Sequence, residues 1–164
     1  MNVATLYETK LRLTSSWLGN QRTREGVRRF RRDKDNKLQV DLAQWSWTFK
    51  QAAEALHMDG VDTDTIRPQG NIDPPKLVLY RRNYTHNNKQ QFEMFEAMRE
   101  NTVVTMKVLV TTVPIVGANK NAMFAPDLAR LSDILKFSGS LLGLSPWGNQ
   151  YGYGRFDLEE IRPL

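Results

Sequence analysis

Over the first thirteen residues β-forming and polar side chains alternate, with Val3, Thr5, Tyr7, Thr9, Leu11 and Leu13 at every second position. A period of two is the pleat of a strand with one buried face, so a first strand is expected there. The period then changes. In "DLAQWSWTFKQAAEALHM", Trp45, Phe49, Ala52, Ala53 and Leu56 recur at helical spacing, which predicts an amphipathic helix with that stripe toward the core. Asp41, with Gln44 three residues on, is a capping-box arrangement at its start. Trp47 lies two residues from Trp45 and so points to a different face, where an amphipathic ring can stack on a base or a partner.

Upstream of that helix, "VRRFRRDKDNKLQV" turns at Asp35-Asn36 and reads as a small hairpin. Downstream, "DGVDTDTIRPQGNIDPP" is polar and rich in Pro and Gly, the composition of a loop. "KLVLYRRNY" reads as a second strand and "NTVVTMKVLVTT" as a third, while "KQQFEMFEAMRE" between them fits either strand ends around a loop or a short helix. Pro126 and Asp127 open a second helix with Leu128, Leu131, Ile134, Leu135, Phe137, Leu141 and Leu142 as its apolar face. "YGYGRFDLEEI" closes the chain as a last strand. The order is β-α-β-β-α-β, an α+β class in the ferredoxin-like arrangement, with a basic β-hairpin inserted before the first helix. With 164 residues, 40% of them hydrophobic, a single domain over residues 1–164 has enough apolar content for one core.

Charge sharpens this picture. The net charge is +5. Arg22, Arg24, Arg28, Arg29, Arg31, Arg32, Lys34 and Lys37 stand against only Glu25, Asp33 and Asp35 in one segment, and the rest of the chain balances to zero. Concentrated arginine is a footprint expected for phosphate binding, which points to nucleic acid. Arg81 and Arg82, with Tyr84, form a second basic-aromatic cluster at a strand end. The expected third strand carries no aromatic residue and the first only Tyr7, which argues against a base-stacking platform on the central strands. There are no cysteines, which excludes disulfides and thiolate zinc sites and fits a reducing cytosol. No secretory leader pattern or membrane-length apolar run is recognisable, so a cytoplasmic protein without a membrane partner is expected.

Close to the C-terminus stands "LSPWGNQYGYGRF". "SPWG" fits a type I turn with Pro146 second and Gly148 fourth, and Trp147 is suited to plug the core or anchor an interface. Gly148, Gly152 and Gly154 imply a sharp turn or a close backbone approach.

This glycine-rich segment between the second helix and the last strand resembles the signature loop of the RAMP superfamily of CRISPR-associated proteins. A first strand, a short loop with Gly19, the charged "RRDKDNK" hairpin and a helix are similar to the N-terminal layout of its backbone subunits. The Pro-Gly-Ser-Ser turn that often opens their first helix is replaced by "VDLAQWSW". The resemblance implies a ferredoxin-like core, loop glycines and Arg155 against a nucleic-acid backbone, and self-association along a guide strand or within a ribonucleoprotein. Some members cut RNA without metal, using a histidine helped by Tyr or Lys, and His86, Tyr84 and Lys89 could imitate that. Others use an aspartate after the first strand, the neighbourhood of Asp33 and Asp35, where a turn also calls for Asp. His57 fits a helix-end role better. "DGVDTD" lacks the full calcium-loop pattern, and no phosphate-loop or nucleophile-elbow motif is present. The expectation is a binding protein with no metal or cofactor. The alternative is a protein-interaction or assembly subunit, including a phage-type inhibitor of a nucleic-acid machine. Its basic segment would dock an acidic surface, with Trp47 and Trp147 as anchors.

Overall fold

The alternation at the start of the chain sets the centre of the molecule. The computed structural model describes residues 4–39, 42–69, 72–112, 124–144 and 151–164. Strand β1 (Ala4–Leu13) buries Tyr7, Thr9, Leu11 and Leu13 and turns Glu8, Lys10 and Arg12 the other way. Two short strands follow, β2 (Trp17–Leu18) and β3 (Val27–Arg28), then helix α1 (Leu42–Ala55). Strand β4 (Ile66–Gln69), the long strands β5 (Leu77–His86) and β6 (Lys89–Met98), and β7 (Val103–Thr111) come next. Helix α2 (Leu128–Phe137) and strand β8 (Phe156–Pro163) complete the order. Among the described residues this is a mixed α+β fold with largely antiparallel sheets and two α-helices.

The main sheet runs β4-β7-β1-β8 with every neighbouring pair antiparallel. Each helix lies on a crossover: α1 between β1 and β4, α2 between β7 and β8. Trp45, Phe49, Ala52 and Ala53 of α1 and Leu131, Ile134 and Leu135 of α2 join the inward residues of β1, β7 and β8 in one core. The Trp45 ring lies 5.2 Å from Phe49 and 6.3 Å from Phe156. The opposite face of the sheet is charged, with Lys10–Glu160, Arg12–Asp157, Arg12–Glu159 and Arg162–Glu8 pairs. That division between an apolar and a charged face is what the period-two pattern requires.

The helix ends follow local chemistry. Asp127 caps α2, its Oδ1 accepting the Arg130 N–H at 2.9 Å. Helix α1 ends in a reciprocal pair, His57 N–H to the Glu54 carbonyl at 3.1 Å and Met58 N–H to the Ala53 carbonyl at 3.0 Å. His57 takes the left-handed conformation (φ 56°) at that stop, a position that glycine usually fills. Asp41 lies outside the described residues, as does Val3.

Five expectations need correction. "KLVLYRRNY" is not a strand of the main sheet; it is β5, paired with β6 in a second sheet. Its place beside β7 is taken by β4, from within the expected loop. A strand of four residues containing Pro68 carries a loop signature, and proline is tolerated there because β4 is an edge. "KQQFEMFEAM" is one long strand, neither helix nor loop. The last strand begins at Phe156, not Tyr151, and Leu128 and Leu141 of the expected apolar face are exposed. Among the described residues no helix is long and apolar enough to cross a membrane.

Candidate nucleic-acid interface

The second sheet is built on the hairpin β5–β6, in register from Leu77↔Met98 to His86↔Lys89. Its two-residue turn, Asn87-Asn88, has both residues at positive φ (49° and 61°). That is the geometry whose twist matches paired strands, and asparagine tolerates it. β2 and β3 pair with the other edge of β6. Along β5, Val78, Tyr80, Arg82 and Tyr84 are half-buried on one face, and Leu79, Arg81, Asn83 and Thr85 are exposed on the other. A small second core of Leu18, Phe95 and Ala97, with Val78, Tyr80 and Tyr153 against it, supports the first face.

The arginine-rich segment is tied to this sheet through β6. Glu96 is buried at 6% exposure. It accepts from the Phe30 backbone N–H at 3.1 Å, from Arg32 at 2.8 Å and from Arg29 at 3.3 Å. Burial pushes its carboxyl up, but the hydrogen bonds from Arg32 and Phe30 and the charges of Arg32 and Arg29 outweigh that and hold it below the ordinary carboxylate value. Arg28 Nε lies 3.0 Å from Glu93 Oε2, with its guanidinium 5.9 Å from the Phe95 ring centre. Arg29 also reaches Glu25. Beyond these anchors the chain turns at Asp33, whose Oδ1 accepts the Asp35 and Lys37 N–H groups at 2.8 and 2.9 Å, with Asn36 left-handed. The expected hairpin is there as a tight turn with single bridges rather than a ladder.

Three of the predicted arginines are therefore held by carboxylates. Arg22, Arg24, Arg31 and Lys34 are exposed, and their side chains make no ion pair among the described residues. β3 runs parallel to β6, so the turn preceding it, with Arg22 and Arg24, extends toward the tip of the hairpin.

The glycine-rich segment reaches the same sheet from the other side. Gly143, Gly152 and Gly154 all have positive φ (77°, 78° and 69°). A Cβ on Gly143 would sit 2.4 Å from the Tyr153 carbonyl oxygen, so backbone approach and conformation both demand glycine there. The turn is stitched to the β1–β2 connection by Gly154 N–H to Ser16 O at 2.8 Å and Arg155 N–H to Ser15 Oγ at 2.9 Å. The Tyr153 hydroxyl lies 3.1 Å from that of Tyr80, the rings edge-to-face at 5.6 Å. Burial and the Tyr80 hydrogen bond push the Tyr153 phenol up to about 12. Tyr151 is 59% exposed. Arg82 is within cation–π reach of two rings, its Cζ 4.9 Å from the centre of Tyr151 and 5.5 Å from that of Tyr84. On the other face Arg81 covers Phe92, 4.1 Å from ring centre to Cζ.

The fold thus brings the Gly152–Gly154 turn to the hairpin through Tyr151 and Tyr153, which meet Arg82 and Tyr80, with Arg81 on the opposite face and the Arg22–Lys34 segment at the far edge, while Arg155 lies beside Gly152. Trp47 is exposed, as expected, but stands on α1 in the other layer. Pro146, Trp147 and Gly148 lie outside the described residues. Of the weak catalytic candidates, Asp33 holds its turn, and Asp35 is exposed in it. His86 pairs in register with Lys89 at the hairpin end, while the Tyr84 hydroxyl donates to Gln91 at 3.0 Å. Sequence reasoning missed Glu96 as the anchor and Tyr80, Tyr151 and Tyr153 as the seam. The signal for the tyrosines was the "YGYG" stretch, which sets two aromatics among the turn glycines. No protein-family model matches the chain, and no curated protein sequence matches it.

Proposed function

We propose that this chain is a ferredoxin-like, RAMP-related protein of the cytoplasm that binds RNA or single-stranded DNA through its arginine-rich segment and the adjoining hairpin. The strand order β4-β7-β1-β8 with helical crossovers supports the ferredoxin-like reading. The long hairpin β5–β6 is then an insertion between the second and third strands of that unit. One observation carries the function: the basic segment is divided into anchored and projecting cations. Arg28, Arg29 and Arg32 are fastened to Glu93 and Glu96, and Arg22, Arg24, Arg31 and Lys34 are left exposed on the framework they stiffen. Exposed cations on such a framework suit phosphates, whose charge-assisted bonds are strong and salt-sensitive.

The test is fluorescence anisotropy with single-stranded RNA, single-stranded DNA and duplex DNA at about 50 and 200 mM salt. Tight, salt-sensitive binding to a single strand is expected. Replacing Arg22, Arg24, Arg31 and Lys34 together by Ala should lower the slope of log K against log salt by about 3, since each phosphate contact on a single strand adds about 0.7. An unchanged slope would remove these four residues from the interface.

A second reading has its own observation. Trp47 is 42% exposed on α1, away from the hairpin, a position suited to a protein partner. Absence of nucleic-acid binding at low salt would favour that reading.

A further inference from the structure

We propose that Tyr151, Arg82 and Tyr84 form a stacking platform for an unpaired nucleobase. The proposal rests on the nucleic-acid reading above and names the groups that would touch bases rather than phosphates. The geometry is a shared cation–π contact, with the Arg82 guanidinium carbon over the Tyr151 ring at 4.9 Å and over the Tyr84 ring at 5.5 Å. Gly152 and Gly154, at positive φ, reverse the chain so that Tyr151 reaches back over β5. The Tyr153–Tyr80 contact two residues on holds that reversal in place.

A tyrosine 59% exposed beside a glycine turn offers a large flat surface to solvent. Stacked on a guanidinium, it presents a π face carrying positive charge, which matches a base whose own backbone is anionic. Charge around the platform fits the same ligand. The Arg22–Lys37 segment and the hairpin together hold eleven Lys and Arg residues against five Asp and Glu, an excess that attracts a polyanion. Paired bases keep both faces covered by their neighbours in a duplex, so the platform selects an unpaired strand. Because every base has a π face, it does so with little regard to sequence.

The experiment compares a single-stranded RNA of about 12 nucleotides with a strand of equal length whose central residues are abasic. The two have the same phosphates and differ in bases alone. The intact strand is expected to bind about tenfold more tightly. Tyr151→Ala should abolish that preference and leave the salt slope unchanged, while Tyr151→Phe retains it. Circular dichroism of Tyr151→Ala should match the parent, because the side chain is exposed. Equal binding of intact and abasic strands by the parent protein would overturn the platform and leave the phosphate reading standing. A loss on Tyr151→Ala that is equal for both strands would overturn it too, assigning the ring a purely structural role. No binding of either strand at low salt would overturn both.

Discussion

Glu96 has the surroundings of a group that folding cannot leave unpaired. Its carboxylate is almost out of contact with water, and two guanidinium groups and a backbone N–H converge on it. Replacing it by Gln keeps the shape but leaves Arg29 and Arg32 facing a neutral amide. Breaking a buried pair by removing one partner is costly, and the partial exposure of these arginines reduces the effect, so about 2 kcal/mol of destabilisation is expected in urea unfolding. The sign of the pH dependence follows from its lowered carboxyl. The stability it contributes is present above its unfolded value of 4.5 and is lost as pH falls through the lower folded value. As pH falls from 4.5 through that lower value, the Gln variant should lose less stability than the parent. Nothing in "KQQFEMFEAMRE" singles out this glutamate. Its partners are more than sixty residues away in the chain, so its role exists only once β6 is laid beside the basic segment.

At the scale of elements, α1 was legible because its stripe, Trp45 to Ala53, is a local pattern that one buried face explains. Its stop was not. His57 sits left-handed where glycine is the usual residue, and no glycine marks the boundary until Gly60. Left-handed backbone burdens a residue that has a Cβ, so His57→Gly should stabilise the protein by about 0.5–1 kcal/mol, read as a raised midpoint in denaturant. No change would mean that the imidazole at the negative end of the helix compensates for the strain. The strands divide in the same way. β1 and β7 follow their period-two pattern. β4 is too short and too rich in turn residues to be read, and β6 hides its strand character because one end is polar and the other fully buried.

For the whole molecule, the seam between the two sheets matters most. The glycine turn leads directly into β8 of the main sheet, and its Tyr153 is fastened to Tyr80 of the hairpin. Because Tyr153 keeps its proton to about 12 when folded but releases it near 10.0 when unfolded, its contribution is complete below 10 and fades as pH rises toward 12. Thermal melts across that range should show the parent losing stability more steeply than Tyr153→Phe; parallel curves would mean that the phenol does not feel the seam. The α+β class, the alternation of β1, the buried stripe of α1, the start of α2 and the concentration of positive charge were all determined by the sequence itself. Each is a local regularity: a period reports which side of an element faces the core, and a charge count needs no coordinates. Tertiary structure alone decided that β4 joins the main sheet and β5 leaves it, that Glu96 gathers the arginines, and that tyrosines from a glycine turn meet a hairpin seventy residues earlier. Those outcomes depend on contacts between distant segments, whose free energy comes from the packed assembly and leaves no periodic trace in either segment.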